Sequence, residues 1–312
     1  MNSLRIGTRG SALALWQADH IRKKLKESHG VEAELVRIRT SGDRFQNASI
    51  AQIGSQFGTK AVFIKELEDA LLAGTVDLAV HSMKDVPTEM PRGLAFPAVT
   101  KRDDPRDCLI SHHGRPLREL PAGARIGTSS LRRQAQLRHH RSDLDVLDLR
   151  GNVDTRLKKV AAGEFDAIIL AVAGVTRLGA GDKISEILST EWMLPAVGQG
   201  ALGIETREQD RETSAMVAAL NDSETRACVT TERALLHELE GGCQVPLGAW
   251  ARLENGELRI EACLLSSDGK EYLRDEQRGP VTDAEQIGQR LGRVFKEAGA
   301  EKILRLAGRS VG

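Results

Sequence analysis

Three stretches of the chain carry side chains that could do chemistry. The first is His81-Ser82-Met83-Lys84-Asp85-Val86-Pro87. A hydroxyl, an amine and a carboxylate lie close together there, which suits acid–base work beside a bound anion. If the stretch is extended, Ser82 and Lys84 face one way and Asp85 the other. Asp85 is then the acid–base group, while Lys84 and Ser82 meet anionic groups. The competing reading is plain turn chemistry, since Asp before Val-Pro is common in turns.

The second stretch is basic. Residues 125–160 hold nine arginines and lysines against four aspartates, in a chain whose 44 basic residues balance 44 acidic ones. Arg132 and Arg133 fall in the first turn of a helix opened by Ser129 and Ser130. The helix dipole disfavours cations there, unless an anion binds between them and the N-terminal amides. Arg150 ends a strand, and Arg156 follows in the next helix. With Arg9 and Ser11 of an earlier strand-to-helix loop, they could line one anionic groove. Taken singly, each reads first as a solvated surface charge; as a group at element boundaries they favour an anion site.

The third is Cys243, in Leu239-Glu240-Gly241-Gly242-Cys243-Gln244-Val245-Pro246. It follows the end of a helix, where the dipole favours the protonated thiol. His237 is on the helix itself and forms no local Cys–His pair. A turnover nucleophile is therefore not indicated, while a single covalent attachment is compatible. Cys108, Cys228 and Cys263 fall inside strands or helices and read as core thiols.

Other chemistries find little support. No phosphate-binding G-x-x-x-x-G-K-[ST] loop occurs, and one tyrosine in 312 residues leaves scant material for stacking on bases. A carboxylate-rich small molecule therefore fits the basic cluster better than a nucleic acid. The pairs His112-His113 and His139-His140 lack metal-ligand spacing, and no Cys-x-x-Cys occurs, so no metal is expected. The first twenty residues lack a signal core, and no apolar run reaches membrane-spanning length. The expectation is a cytoplasmic protein with free thiols and no membrane partner.

The elements that must position these residues repeat. Arg5-Ile6-Gly7-Thr8 returns as Arg125-Ile126-Gly127-Thr128, each time as a strand followed by serines and a helix. Residues 32–40 and 145–154 form the next matched strands. Ala73-Gly74-Thr75-Val76-Asp77 parallels Ala162-Gly163-Glu164-Phe165-Asp166, each a helix end before a strand. Matches in the same order point to two related α/β lobes with mixed or mostly parallel sheets. Their ligands would sit at the carboxyl ends of strands, facing a cleft. From about Asp222 a long helix precedes three strands split by Asn255-Gly256 and Asp268-Gly269, both hairpin turns. An amphipathic helix over about 283–299 completes a small α+β domain, a three-stranded antiparallel sheet with helices on one face. The expected division is 1–101 with 200–218 for the first lobe, 102–199 for the second and 220–312 for the third domain.

Six stretches, "RIGTRGSALALWQA", "HSMKDVPT", "GTSSLRRQAQL", "LRGNVDTRL", "PAVGQGALGIE" and "LEGGCQVPLGAW", together resemble the porphobilinogen deaminase family. They run in family order from residue 5 to about residue 250; the remainder fits by pattern. The resemblance implies three domains, the first two like a periplasmic binding protein. It implies head-to-tail condensation of porphobilinogen, a pyrrole bearing acetate and propionate, into the linear tetrapyrrole hydroxymethylbilane, with release of ammonia. It also implies a dipyrromethane primer, thioether-linked to Cys243, and Asp85 as the catalytic carboxylate. To the cofactor it assigns Ser82, Lys84, Thr128, Ser130, Arg132, Arg133, Arg156 and Gln199. To the substrate it assigns Arg9, Ser11, Gln17, Lys60, Phe63, Arg150 and Arg177. Family members are expected to be monomers. The segment around Thr59-Lys60-Ala61-Val62-Phe63 departs from the family's G-K-G-L-F, which leaves the path of that loop open. The rival reading is a non-catalytic two-lobed protein for a polycarboxylate, which gives Asp85 and Cys243 no role. A cysteine hydrolase is weakened by the position of Cys243.

Overall fold

The computed structural model describes residues 3–39, 64–239 and 245–308. It opens with β1 (Leu4–Thr8), α1 (Ala12–His29), β2 (Ala33–Arg37), α2 (Lys65–Leu72), β3 (Leu78–Ser82) and β4 (Leu94–Val99). Next come β5 (Asp107–Ser111), β6 (Arg125–Gly127), α3 (Leu131–His140), β7 (Asp145–Leu147), α4 (Val153–Ala161), β8 (Ala167–Ala171), α5 (Val172–Arg177) and β9 (Glu186–Ile187). Then follow β10 (Leu202–Arg207), α6 (Arg211–Ala218), α7 (Ser223–Glu238), β11 (Leu247–Glu254), β12 (Glu257–Leu265), β13 (Tyr272–Pro280), α8 (Ala284–Glu297) and α9 (Ala300–Gly308). Two compact units result. Met1–Arg102 joins Ala201–Arg226, and Asp103–Gly200 joins Ala227–Gly312.

The first unit holds a five-stranded sheet in the order β2-β1-β3-β10-β4, and the second unit one in the order β7-β6-β8-β5-β9. In each, the first three strands in this order are parallel and the fourth strand runs antiparallel to both its neighbours. The sheets are thus mixed. The antiparallel member explains why: β10 reaches the first sheet from beyond residue 200, so no local repeat announces it.

The sequence repeat is also a repeat of contacts. The Arg5 backbone N–H and side chain both donate to Asp77, and its Nη2 donates to the Gly74 carbonyl at 2.8 Å. Arg125 makes the same set with Asp166 and with the Gly163 carbonyl at 2.9 Å. Gly74 and Gly163 both take left-handed backbone angles, φ 69° and 75°, which close the helix before the next strand. Each clamp therefore fixes the register of the first strand against the incoming third.

Alternation along β3 sorts its neighbours. Leu78 and Val80 join Leu4, Ile6, Ile21 and Leu25 beneath α1, while Ala79 joins Leu67 and Leu71 beneath α2. The ladder between β3 and β10 runs to Ser82, and Met83 adds one bond to the Ala201 carbonyl. There the partner strand ends. Met83–Asp85 folds instead into a single 3-10 turn, with Met83 buried. The extended alternation expected for Ser82, Lys84 and Asp85 therefore does not occur.

In the second unit the sheet β11-β12-β13 packs one face on α7, α8 and α9 through Leu235, Ile260, Ile287, Leu291, Phe295 and Ile303. Its other face carries Cys263 and Leu265 against Ala135 of α3 and Leu194. The helix α9 is an addition to the expected single terminal helix: Gly299, with φ 92°, breaks one helix from the next. No helix among the described residues is long and apolar enough to cross a membrane.

At Gly288, α8 packs closely on α7. A Cβ there would collide with the Thr231 carbonyl oxygen of α7. Gly288→Ala should therefore cost about 1–3 kcal/mol through overpacking. Urea unfolding should show a lower midpoint with an unchanged slope.

Candidate active site

In the first unit, the carboxyl ends of β1 and β3 lie on one edge of the sheet. Arg9, Ser11, Gln17, Ser82 and Asp85 line one pocket there, together with Ile64, Leu67, Val80 and His81. Ser11 caps α1 by accepting from Ala14 N at 3.3 Å, as its position before the helix predicts. Buried Gln17 donates from Nε2 to Ser82 Oγ at 2.9 Å, which ties α1 to the end of β3. The 3-10 turn after Ser82 brings Asp85 to the pocket wall, with Lys84 beside it in the turn. The structure thus gathers Asp85, Ser82, Gln17, Arg9 and Ser11. Lys60 and Phe63 lie outside the described residues, as does Cys243.

In the second unit, the first turn of α3 has no acidic residue, and Ser130 makes no side-chain cap. The sequence calls for an anion at this turn, and the protein itself supplies one. Asp107, the first residue of β5 and fully buried, accepts from Arg132 Nη1 at 2.7 Å and from Arg133 Nη2 at 2.7 Å. Gln199 Nε2 adds a third bond at 2.9 Å. Arg132 also donates to the Leu194 carbonyl, and Arg133 to the Ile169 carbonyl. Burial alone would push the Asp107 carboxyl up. The two guanidinium charges outweigh it and hold the group well below the usual carboxylate range. Sequence reading passed over Asp107. Its one signal is an acid opening an otherwise apolar strand, Asp107-Cys108-Leu109-Ile110.

Arg177 is also committed within the protein. It donates to Asp103 at 2.9 Å and to the Gly200 carbonyl at 2.7 Å, joining the residues where the chain enters and leaves the second unit. Thr128 is buried, and its Oγ1 accepts from Ser130 N at 3.3 Å. Arg150 stands at the end of the segment after β7, ahead of Gly151.

Arg156 differs from these. Its Nε donates to the Gly151 carbonyl, and among the described residues no carboxylate pairs with it. Burial, and then the Arg133 charge, pull its guanidinium down to about 10. A desolvated cation of this kind calls for an anionic partner. α4, which carries it, starts at Asn152 without a side-chain cap, so the amides of its first turn are also available. The uncapped starts of α3 and α4, with Arg156, fit a carboxylate-bearing group.

The buried thiols offer no competing nucleophile. Burial pushes Cys108 and Cys263 up to about 12, and Cys228 is also buried.

Two family models match the chain. "Porphobilinogen deaminase, dipyromethane cofactor binding domain" matches residues 4–215, and "Porphobilinogen deaminase, C-terminal domain" matches residues 226–297. The chain belongs to the porphobilinogen deaminase family. A porphobilinogen deaminase of Pelobacter propionicus is 47% identical over 302 residues, covering 96% of this chain and 96% of that one. Another, of Syntrophotalea carbinolica, is 47% identical over 304 residues, covering 97% of this chain and 95% of that one. Similar solved structures include a Bordetella pertussis BvgS VFT2 domain, with TM-score 0.41 and 15% identity over 70% of this chain and 86% of that one. A periplasmic substrate-binding protein of a Coxiella burnetii ABC transporter has TM-score 0.42 and 13% identity over 70% of this chain and 91% of that one.

For this porphobilinogen deaminase family member, Asp107→Asn tests the buried cluster. It leaves Arg132 and Arg133 without their counter-charge and should cost about 3–5 kcal/mol. A carboxyl held low contributes its stability above its unfolded value, about 3.9, and loses it as the pH falls through the folded value. Urea midpoints of parent and variant should therefore differ fully at pH 7 and converge progressively below about pH 4.

Proposed function

We propose that the chain condenses porphobilinogen head to tail into hydroxymethylbilane, with release of ammonia, on a dipyrromethane held by a thioether to Cys243. The observation that carries this reading is the match of both family domains along the chain, with the carboxylate of the His-Ser-Met-Lys-Asp motif on a pocket wall. The family activity is a transferase reaction of tetrapyrrole and haem biosynthesis. When bound, dipyrromethane supplies the free α-carbon to which the first substrate ring is joined.

Asp85 is the catalytic residue in this reading. As the C–N bond of the substrate's protonated aminomethyl group breaks, the nitrogen takes the bonding pair and leaves as ammonia, and the positive charge spreads over the pyrrole. A carboxylate beside the pyrrole N–H stabilises that charge in a partly dry pocket. After the new bond forms, the carboxylate takes up the proton released from the attacking carbon. Arg9 and Ser11 hold the acetate and propionate of the incoming ring, and Lys84 and Ser82 face the carboxylates of the dipyrromethane. Gln17 keeps Ser82 in place. Arg156, Thr128, Ser130 and the amides that open α3 and α4 hold the carboxylates of the dipyrromethane. Arg132, Arg133 and Gln199 support this region through Asp107, and Arg177 through Asp103 and Gly200. Lys60, Phe63 and Arg150 complete the substrate contacts. Domain limits of 1–101 with 200–218, 102–199 and 220–312, a monomeric state and a cytoplasmic location belong to the same reading.

Two measurements test it. The intact mass of the purified protein should exceed the sequence mass by two linked pyrrole units, and Cys243→Ser should remove the excess. A fully active chain of unmodified mass would sink the anchor. Asp85→Asn should lower kcat by about 10²–10⁴-fold with an unchanged melting temperature. A near-parental rate would remove Asp85 from the mechanism.

A further inference from the structure

Behind the Asp85 pocket lies a buried ionisable pair that the reaction as described does not use. His81 is on β3 and Glu205 on β10, which pair antiparallel with Gly203 opposite His81 and Glu205 opposite Ala79. Alternation places both side chains on the α2 face of the sheet. His81 Nε2 lies 2.9 Å from Glu205 Oε2, with the side chains 3% and 0% exposed. The second oxygen, Oε1, is buried and has no hydrogen-bond partner among the described residues.

Such a pair is a poor stabilising device. A buried charge with an unsatisfied oxygen costs several kcal/mol that two apolar side chains would not. The pair has an outlet on each side. His81 itself lines the pocket that holds Asp85. Partly buried Glu68 lies on α2, the helix that packs over β3 and β10 on the face carrying the pair. Burial, and next the Glu205 charge, push its carboxyl up to about 7, against the opposing pull of His81. Charged groups near the pair among the described residues include Glu68 of α2, with Asp69 next to it, and Arg9 and Asp85, which line the same pocket as His81; Lys84 shares the turn with Asp85. From β4, the ring of Phe96 meets His81 edge-on, with centroids 5.8 Å apart.

We propose that His81 and Glu205, with Glu68, form a proton relay that restores Asp85 after each ring is added. The inference rests on the deaminase reading above. Each addition breaks a C–H bond at the attacking carbon. The electron pair returns to the pyrrole, and the proton passes to the Asp85 carboxylate. The next porphobilinogen needs that carboxylate ionised again. His81 takes the proton on one ring nitrogen and passes one from Nε2 to Glu205 Oε2, and Glu205 gives it up through its second oxygen to Glu68, which releases it to solvent and leaves the pair as it began. No redox partner is needed. Because both act through Asp85, His81 and Glu205 are positioning residues.

A relay and a merely structural pair predict different kinetics. The first addition starts from an ionised Asp85 and does not need the relay, whereas repeated turnover does. In rapid-quench experiments on the holoenzyme, Glu205→Gln should add the first porphobilinogen within about twofold of the parent rate. Its steady-state rate should fall about tenfold and recover in imidazole buffer, as expected for a lost acid–base step. Glu68→Gln is the fold-safe companion, because Glu68 is only partly buried. It should show the same split, with the acid limb of the steady-state pH profile displaced. Equal losses in both phases, no loss in either, or no recovery with imidazole would overturn the relay. A parent holoenzyme that does not turn over porphobilinogen would instead overturn the functional reading itself.

Discussion

The second sheet is organised by one carboxylate that never meets water. Asp107 opens β5 and accepts hydrogen bonds from Arg132 and Arg133 of α3 and from Gln199. Those arginines reach further, to the carbonyls of Leu194 and Ile169. One buried anion therefore joins a strand, a helix and the segment leading out of the unit. Without it, two cations at the positive end of a helix would repel the dipole and each other. With it, they become fixed dipoles around the start of α3.

This changes how the basic stretch of the sequence is understood. Its charges are not one undifferentiated patch. Arg125 clamps a strand, Arg132 and Arg133 satisfy Asp107, and Arg156 remains desolvated beside a carbonyl. The proposed cofactor would meet a surface whose positive groups are already held in place. Preorganisation of this kind spares the site the cost of ordering long side chains when an anion arrives.

Local features were legible in the sequence, and distant partners were not. The repeated Arg-Ile-Gly-Thr strands, the Ser11 cap and the hairpin turns at Asn255-Gly256 and Asp268-Gly269 follow from residue type and spacing. The clamp on each repeat was not legible, because it needs an aspartate about seventy residues from Arg5 and about forty from Arg125. The turn at Met83–Asp85 escaped for a related reason: the strand stops where β10 stops, and β10 lies far along the chain. Asp107 and Glu205 look like ordinary residues of apolar strands until the fold buries them. The second terminal helix was missed because Gly299 reads as an end, whereas here it divides two helices.

The path of β10 has a consequence for biosynthesis of the chain. The second five-stranded sheet is built from one continuous segment, Asp107 to Ile187. The first is not: its fourth strand, Leu202–Arg207, is made only after all strands of the second sheet have been made. The earlier-synthesised sheet must therefore wait on the ribosome with β3 open along the side that β10 will take and β4 without a strand partner. Its open edge is the part of the nascent chain most in need of protection from pairing with the wrong strand.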